Sequence, residues 1–350
     1  MDAGMLMIGF LAMVSLTGEA RGAPQAMVAG FAELRIDDGE QRALSGYIFY
    51  PGQGGVSALR VGENAVRQGF DVFPNAPLAD GRFPLVVLSH GLMGHALNQG
   101  WLAVRLAAKG YVVATVHHPG SSFLDRDPEQ RRALWERPRD VSRTTSAMLA
   151  HPEFGDRILA DRIVVVGHSL GGYDVAALAG ARLDIDIHIA YCRENENAAD
   201  CQFARMAALH EPDADRKRLE ADLHDPRIKA GVTLDLGLVQ AMDRKSLSAV
   251  TTPLLVIGAG RTPDVLDVEM ESRVFADTLP SPIVRYIEHA DLGHYDALDL
   301  CKPEGYAILM EDEPESAHIC EMAGEERQRH HEWLAAEILA FFTDLGMTVR

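Results

Sequence analysis

The stretch RIVVVGHSLGGYDVAALAG, Arg162 to Gly180, places one serine between glycines, with a β-branched apolar run before it and an alanine-rich run after it. GHSLG (Gly167–Gly171) fits G-x-S-x-G, and the flanking runs predict a strand leading into a helix. Such a corner is so tight that the residues two before and two after the serine must be small. It pushes the Ser169 hydroxyl out at the end of the strand. The helix N-terminus that follows offers unpaired N–H groups and partial positive charge to a developing oxyanion.

A serine hydroxyl is a weak nucleophile at neutral pH and needs a base within hydrogen-bond reach. Behind a strand–elbow–helix serine, the chain order is Ser, then Asp or Glu, then His. HADLGHYDALDLC supplies His294 after the last strand, with Gly293 before it. His289 sits closer to the strand and reads as structural. His330 and His331 fall on a closing helix and read as solvated or core-edge residues. The acid must orient His294 and stabilise its imidazolium. After PLLVIGAG the usual position holds Arg261, and Asp264 and Asp267 come later. The preceding run VTLDLG ends in Asp235, a carboxylate that closes an apolar strand and so needs a partner. Asp235 is favoured, with Asp264 the alternative. Oxyanion donors are expected from the backbone N–H groups of Leu170 and Leu92, the latter in the loop after PLVVLSHG. Beside it, His90 reads as a structural hydrogen-bonder.

The elements that must carry these residues are legible as apolar runs. FAELRIDD and ALSGYIFYPG read as an antiparallel meander. RFPLVVLSHGLMG, YVVATVHHPG, RIVVVGHS, IKAGVTLDLG, PLLVIGAG and IVRYIEHADLGH read as buried strands, alternating with helical segments. This predicts an α/β domain with a mostly parallel sheet of about eight strands and helices on both faces. The polar stretch about 181–225, with CRENENAADC inside it, reads as a cap-like insertion after the nucleophile helix.

The motifs FPLVVLSHGLMG, YVVATVHHPGSS, VVVGHSLGG, IKAGVTLDLG and GHYD resemble, in order, those of serine α/β-hydrolases. The groups they resemble are the platelet-activating-factor acetylhydrolase-like enzymes and the predicted dienelactone hydrolases. The resemblance covers approximately residues 30–345, apart from 181–225. The acetylhydrolase group carries its acid in a strand-end motif like TLDLG, which implies Asp235. Related bacterial-type sequences carry it after the next strand, which keeps Asp264 open. Dienelactone hydrolases proper use cysteine at the elbow, so their name does not transfer to Ser169. His118, in HHPGSS, falls in a loop that borders the site in this group, which implies a pocket wall or a substrate contact.

The implied activity is hydrolysis of carboxylic esters, small or short-acyl ones favoured, through an acyl-enzyme that needs neither metal nor organic cofactor. A peptidase or amidase of the same fold, or a binding protein that keeps the fold, are the alternatives. With 51 acidic against 33 basic residues the formal charge is −18, which excludes a nucleic-acid partner that reads phosphate. The apolar run Met5–Leu16 is shorter than the roughly 20 residues of a membrane span and suits a signal peptide over residues 1–22. The domain would then occupy 23–350, in a secreted or periplasmic protein. Four cysteines fit that compartment, and nearest-neighbour pairing gives Cys192–Cys201 and Cys301–Cys320.

Overall fold

The computed structural model describes residue 1 and residues 26–37, 42–55, 57–261, 265–322 and 324–349. The expected signal segment falls almost entirely outside the described residues, and Asp264 does too. The strands are β1 (Val28–Ile36), β2 (Leu44–Gly52), β3 (Leu59–Val61), β4 (Phe70–Pro74), β5 (Phe83–Ser89), β6 (Val112–Val116), β7 (Ile158–His168), β8 (Ile228–Leu234), β9 (Leu254–Ala259) and β10 (Val284–His289). They form one ten-stranded sheet in the order β10-β9-β8-β7-β5-β6-β2-β1-β4-β3. From β6 to β10 every neighbour is parallel; β1 and β2 enter antiparallel. This is the α/β-hydrolase fold.

The strand count corrects the expected eight. The two additions, β3 and β4, lie at the far edge, and β3 is only three residues long. A short edge strand has little apolar surface to bury and leaves little periodic signal.

The central strands carry continuous apolar runs, Leu85–Leu88, Ile163–Val166 and Leu254–Ile257, because both faces are covered there. Leu85, Val87, Ile163, Val165, Leu254 and Val256 point into one core with the elbow helix Leu170–Leu178 and the helix Glu136–Leu149. Their neighbours Val86, Leu88, Val164, Val166, Leu255 and Ile257 point into the other, with the helices Gly100–Ala107 and Gly324–Asp344. Burying a Val or Leu side chain is worth about 1.5–3 kcal/mol, so these two layers hold the sheet rigid under the site.

The segment after the elbow helix folds as three helices, Ile185–Glu194, Ala199–Met206 and Arg216–Leu219. Ile185, Phe203, Ala204, Leu209 and Leu219 join the first core, so the segment is packed into the domain rather than standing off it. Cys192 is bonded to Cys201 and Cys301 to Cys320, the pairing expected from spacing. Among the described residues, no helix is long and apolar enough to cross a membrane.

Candidate active site

Sheet register decides which side chains meet. His168, the last residue of β7, pairs with Leu234, the last of β8, so Ser169 and Asp235 leave adjacent strand ends side by side. Both corners are sharp. Ser169 has φ 56° and Asp235 φ 46°, in the left-handed region that non-glycine residues rarely occupy. The elbow glycines are required sterically. A Cβ on Gly167 would lie 2.0 Å from the Gly171 carbonyl oxygen, and one on Gly171 would lie 2.1 Å from that of Ser89. Ser169 then stands at the N-cap of the helix Leu170–Leu178, whose first N–H groups have no partner within the helix.

His294 opens a single helical turn after β10. Its Nδ1 lies 2.6 Å from Asp235 Oδ2 and its Nε2 lies 3.1 Å from Ser169 Oγ. A carboxylate only accepts, so Nδ1 carries the proton and Nε2 accepts from the serine hydroxyl. The second oxygen of Asp235 accepts the Ala259 N–H at 3.1 Å. Both histidine and aspartate are buried. The structure therefore brings together Ser169, His294 and Asp235 across 125 and 59 residues of chain.

The loop after β5 abuts the serine: a Cβ on Gly91 would lie 2.9 Å from that of Ser169. The Gly91 carbonyl accepts from His90 Nδ1 at 2.7 Å and from the Gly94 N–H at 3.1 Å. A trans peptide holds its C=O and N–H on opposite sides, so pinning that carbonyl turns the Leu92 N–H the other way. The next N–H, of Met93, already donates to Ser121 O. His90 Nε2 accepts the His118 N–H at 3.1 Å, which requires a neutral ring. Burial, with His118 and Arg137 nearby, holds His90 well below the ordinary histidine range.

The sequence implies a pocket wall or a substrate contact for His118. It is fully buried, with Nε2 2.9 Å from Ser89 Oγ and Nδ1 3.0 Å from Asp140 Oδ2. Both ring nitrogens are thus committed inside the protein. Arg137 completes that network and was missed by the sequence reading. It donates to Asp174 at 2.9 Å, to Ser121 Oγ at 2.6 Å and to the His90 carbonyl at 2.5 Å. Burial pushes the Asp140 carboxyl up, but hydrogen bonds from His118 and Arg42 outweigh it and hold the group below the usual range.

The position where an acid was first sought is filled by Arg261. Its guanidinium packs on Gly293, where a Cβ would lie 2.0 Å from it, and reaches Asp296 at 4.0 Å. Asp296 in turn accepts the Gly293 N–H at 2.7 Å and sits 3.1 Å from His330 Nδ1. His330 and His331 are buried, which corrects the solvated reading. The signal that would have found them is helical spacing: Arg327, His330, His331, Leu334 and Ile338 form one buried stripe. His289 is structural as expected, edge-on to Trp333 at 4.7 Å.

Among the described residues, the one group at metal-ligand spacing is His188, Cys192 and Cys201. Those two sulfurs are joined to each other and offer no thiolate.

Fold and elbow together define a serine-bearing α/β-hydrolase scaffold. The family described as Platelet-activating factor acetylhydrolase, isoform II, matches residues 57–126, which include the loops of Leu92 and His118 but end before the elbow. Cutinase est2 of Thermobifida alba is 24% identical over 238 residues, 67% of this chain and 61% of that protein. Cutinase 2 of Thermobifida cellulosilytica is 30% identical over 129 residues, 35% of this chain and 46% of that protein. This chain thus spans less than two thirds of either relative's length. A ferulic acid esterase from Streptomyces cinnamoneus superposes with a TM-score of 0.58 at 18% identity, covering 91% of this chain and 90% of the other, a likeness of fold.

Proposed function

We propose that the protein is a serine hydrolase of carboxylic esters, small or short-acyl ones favoured, acting through Ser169, His294 and Asp235. The observation that carries this is the line of hydrogen bonds from Ser169 Oγ through His294 to Asp235. Ser169 Oγ attacks the ester carbonyl carbon while its proton passes to His294 Nε2. The resulting oxyanion is held by the Leu92 and Leu170 N–H groups. Collapse expels the alcohol, which takes the proton from His294. Water, deprotonated by the same histidine, then attacks the acyl-serine and releases the acid.

The similarity to proteins named acetylhydrolase, cutinase and ferulic acid esterase supports ester rather than amide chemistry. Two disulfides support export to an oxidising compartment. The test is Ser169→Ala with short p-nitrophenyl esters and a fluorophosphonate probe. Turnover should fall by at least about 10³-fold and labelling should vanish, with the fold intact. Substantial remaining activity would overturn the assignment.

A further inference from the structure

His168 stands immediately before the proposed nucleophile, and its ring is 3% exposed. Its Nε2 lies 2.8 Å from the main-chain carbonyl of His294. A carbonyl accepts, so Nε2 carries the proton and Nδ1 holds a lone pair. That Nδ1 is buried and has no hydrogen-bond partner among the described residues. A Cβ on Gly91 would lie 3.4 Å from it, so the ring also supports the loop that bears Leu92. The His168 and His294 ring centroids are 4.8 Å apart.

We infer that His168 is a positioning residue that sets the spacing between Ser169 and His294 by holding the main chain of His294. The inference rests on the nucleophile–base reading above. Two tethers then fix His294 independently. Asp235 fixes the rotation of its ring, and His168 fixes the backbone from which that ring projects. The tether runs to the elbow itself, because His168 and Ser169 share a peptide bond.

A filler of the same volume would not need this arrangement. Leucine or phenylalanine would pack the space without burying an unsatisfied ring nitrogen, which costs about 1–3 kcal/mol. The side chain's one hydrogen bond among the described residues goes to the base residue's own carbonyl. Burial and the neighbouring His294 push the His168 pKa down to about 3, so the ring stays neutral while His294 gains its proton during turnover. A charged ring at that distance would oppose that step.

The test compares His168→Phe, His168→Gln and His168→Asn with p-nitrophenyl acetate. Gln carries its amide nitrogen to the place of Nε2, whereas Asn is too short and Phe has no donor. His168→Phe should lower kcat about 10- to 100-fold, the size of effect expected when a reacting group is misplaced by an ångström. KM should change less than about 3-fold, because ground-state binding is not involved. Fluorophosphonate labelling should slow by the same factor as kcat. His168→Gln should recover most of the rate and exceed His168→Asn by about tenfold. This last comparison holds even where His168→Phe folds poorly. Wild-type kcat in His168→Phe, or equal rates in the Gln and Asn variants, would overturn the inference. Ser169→Ala in the same assay separates the two levels. If it stays active, the nucleophile reading falls and takes this inference with it. If it is inactive beside a fully active His168→Phe, only the inference falls.

Discussion

The indole of Trp101 and the imidazole of His331 lie face to face, with centroids 3.8 Å apart and planes 2° apart. Each ring also holds the turn behind His294. Trp101 Nε1 donates to the Ala297 carbonyl at 2.9 Å. His331 Nε2 lies 3.0 Å from the Asp296 carbonyl and 2.8 Å from that of Leu298. Three successive carbonyls are therefore held by a helix from the first half of the chain and by the last helix. Trp101→Phe keeps a ring for stacking but leaves the Ala297 carbonyl without its donor. Urea denaturation should show a loss of about 1–3 kcal/mol. The kcat for a short ester should fall as well, because the turn carries His294. Unchanged stability would show that water replaces the indole N–H freely.

The buried histidines make a pH prediction. Burial pushes both His331 and His168 down to about 3. In the unfolded chain each would titrate near 6.5. Their folded pKa is the lower one, so the unfolded state binds more protons between the two values. The contribution of these two rings is therefore full above about pH 6.5 and is lost as pH falls toward 3, by about 1.4 kcal/mol per pH unit for each ring. Calorimetry of wild type beside a His331 variant from pH 8 to pH 4 should show a difference in melting temperature that is constant above about pH 6.5 and changes below it. His331→Gln, which keeps a donor, should lose stability less steeply there, by one proton. An identical slope would remove His331 from the account.

Glu271 acts in the opposite direction. It is buried, and its Oε2 accepts the Val239 N–H at 2.8 Å. Burial, then the nearby Asp200, pushes its carboxyl well above the ordinary range. A raised folded pKa gives stability that is present below the unfolded value and lost as pH rises toward the folded one. Glu271→Gln keeps an acceptor for Val239 and removes the ionisation. It should raise the urea midpoint at pH 8 and leave it unchanged at pH 4. An equal gain at both pH values would assign the effect to packing instead.

The parts of this site that the sequence made visible are those governed by local sterics or chain order. Gly167 and Gly171 announced the elbow because nothing larger fits there, and His294 followed from its place after the last strand. The runs FPLVVLS, VVATV, IVVVG and LLVIGA were visible because burial on both faces leaves them almost wholly apolar. β3 and β4 were not: β3 is three residues at the edge, and β4 beside it buries only Val72. The positioning residues were hidden for a different reason. Arg137 bonds a carbonyl 47 residues away and His168 bonds one 126 residues away. A main-chain carbonyl carries no residue type that marks the contact, and the Asp174 and Ser121 side chains that Arg137 also binds read as an ordinary acid and an ordinary serine. For His330, helical spacing marks the burial but not the partner, because Asp296 reads as one more acidic residue in an acidic chain.

The choice of acid can be tested without disturbing the backbone. Asp235 has φ 46°, a conformation that Asn tolerates well and Ala does not, so Asp235→Asn isolates the chemistry. The Asp235 carboxylate accepts from Ala259 N–H with one oxygen and from His294 Nδ1–H with the other. Asn has one oxygen to offer. With that oxygen on Ala259, its amide N–H faces Nδ1 and forces the His294 proton onto Nε2, where it can no longer accept from Ser169. The kcat should fall about 10³- to 10⁴-fold with KM little changed. Asp264→Asn should stay near wild type. If Asp264→Asn instead costs more than Asp235→Asn, the role of the acid passes to Asp264, and the hydrogen bond at 2.6 Å becomes a structural contact of the histidine loop.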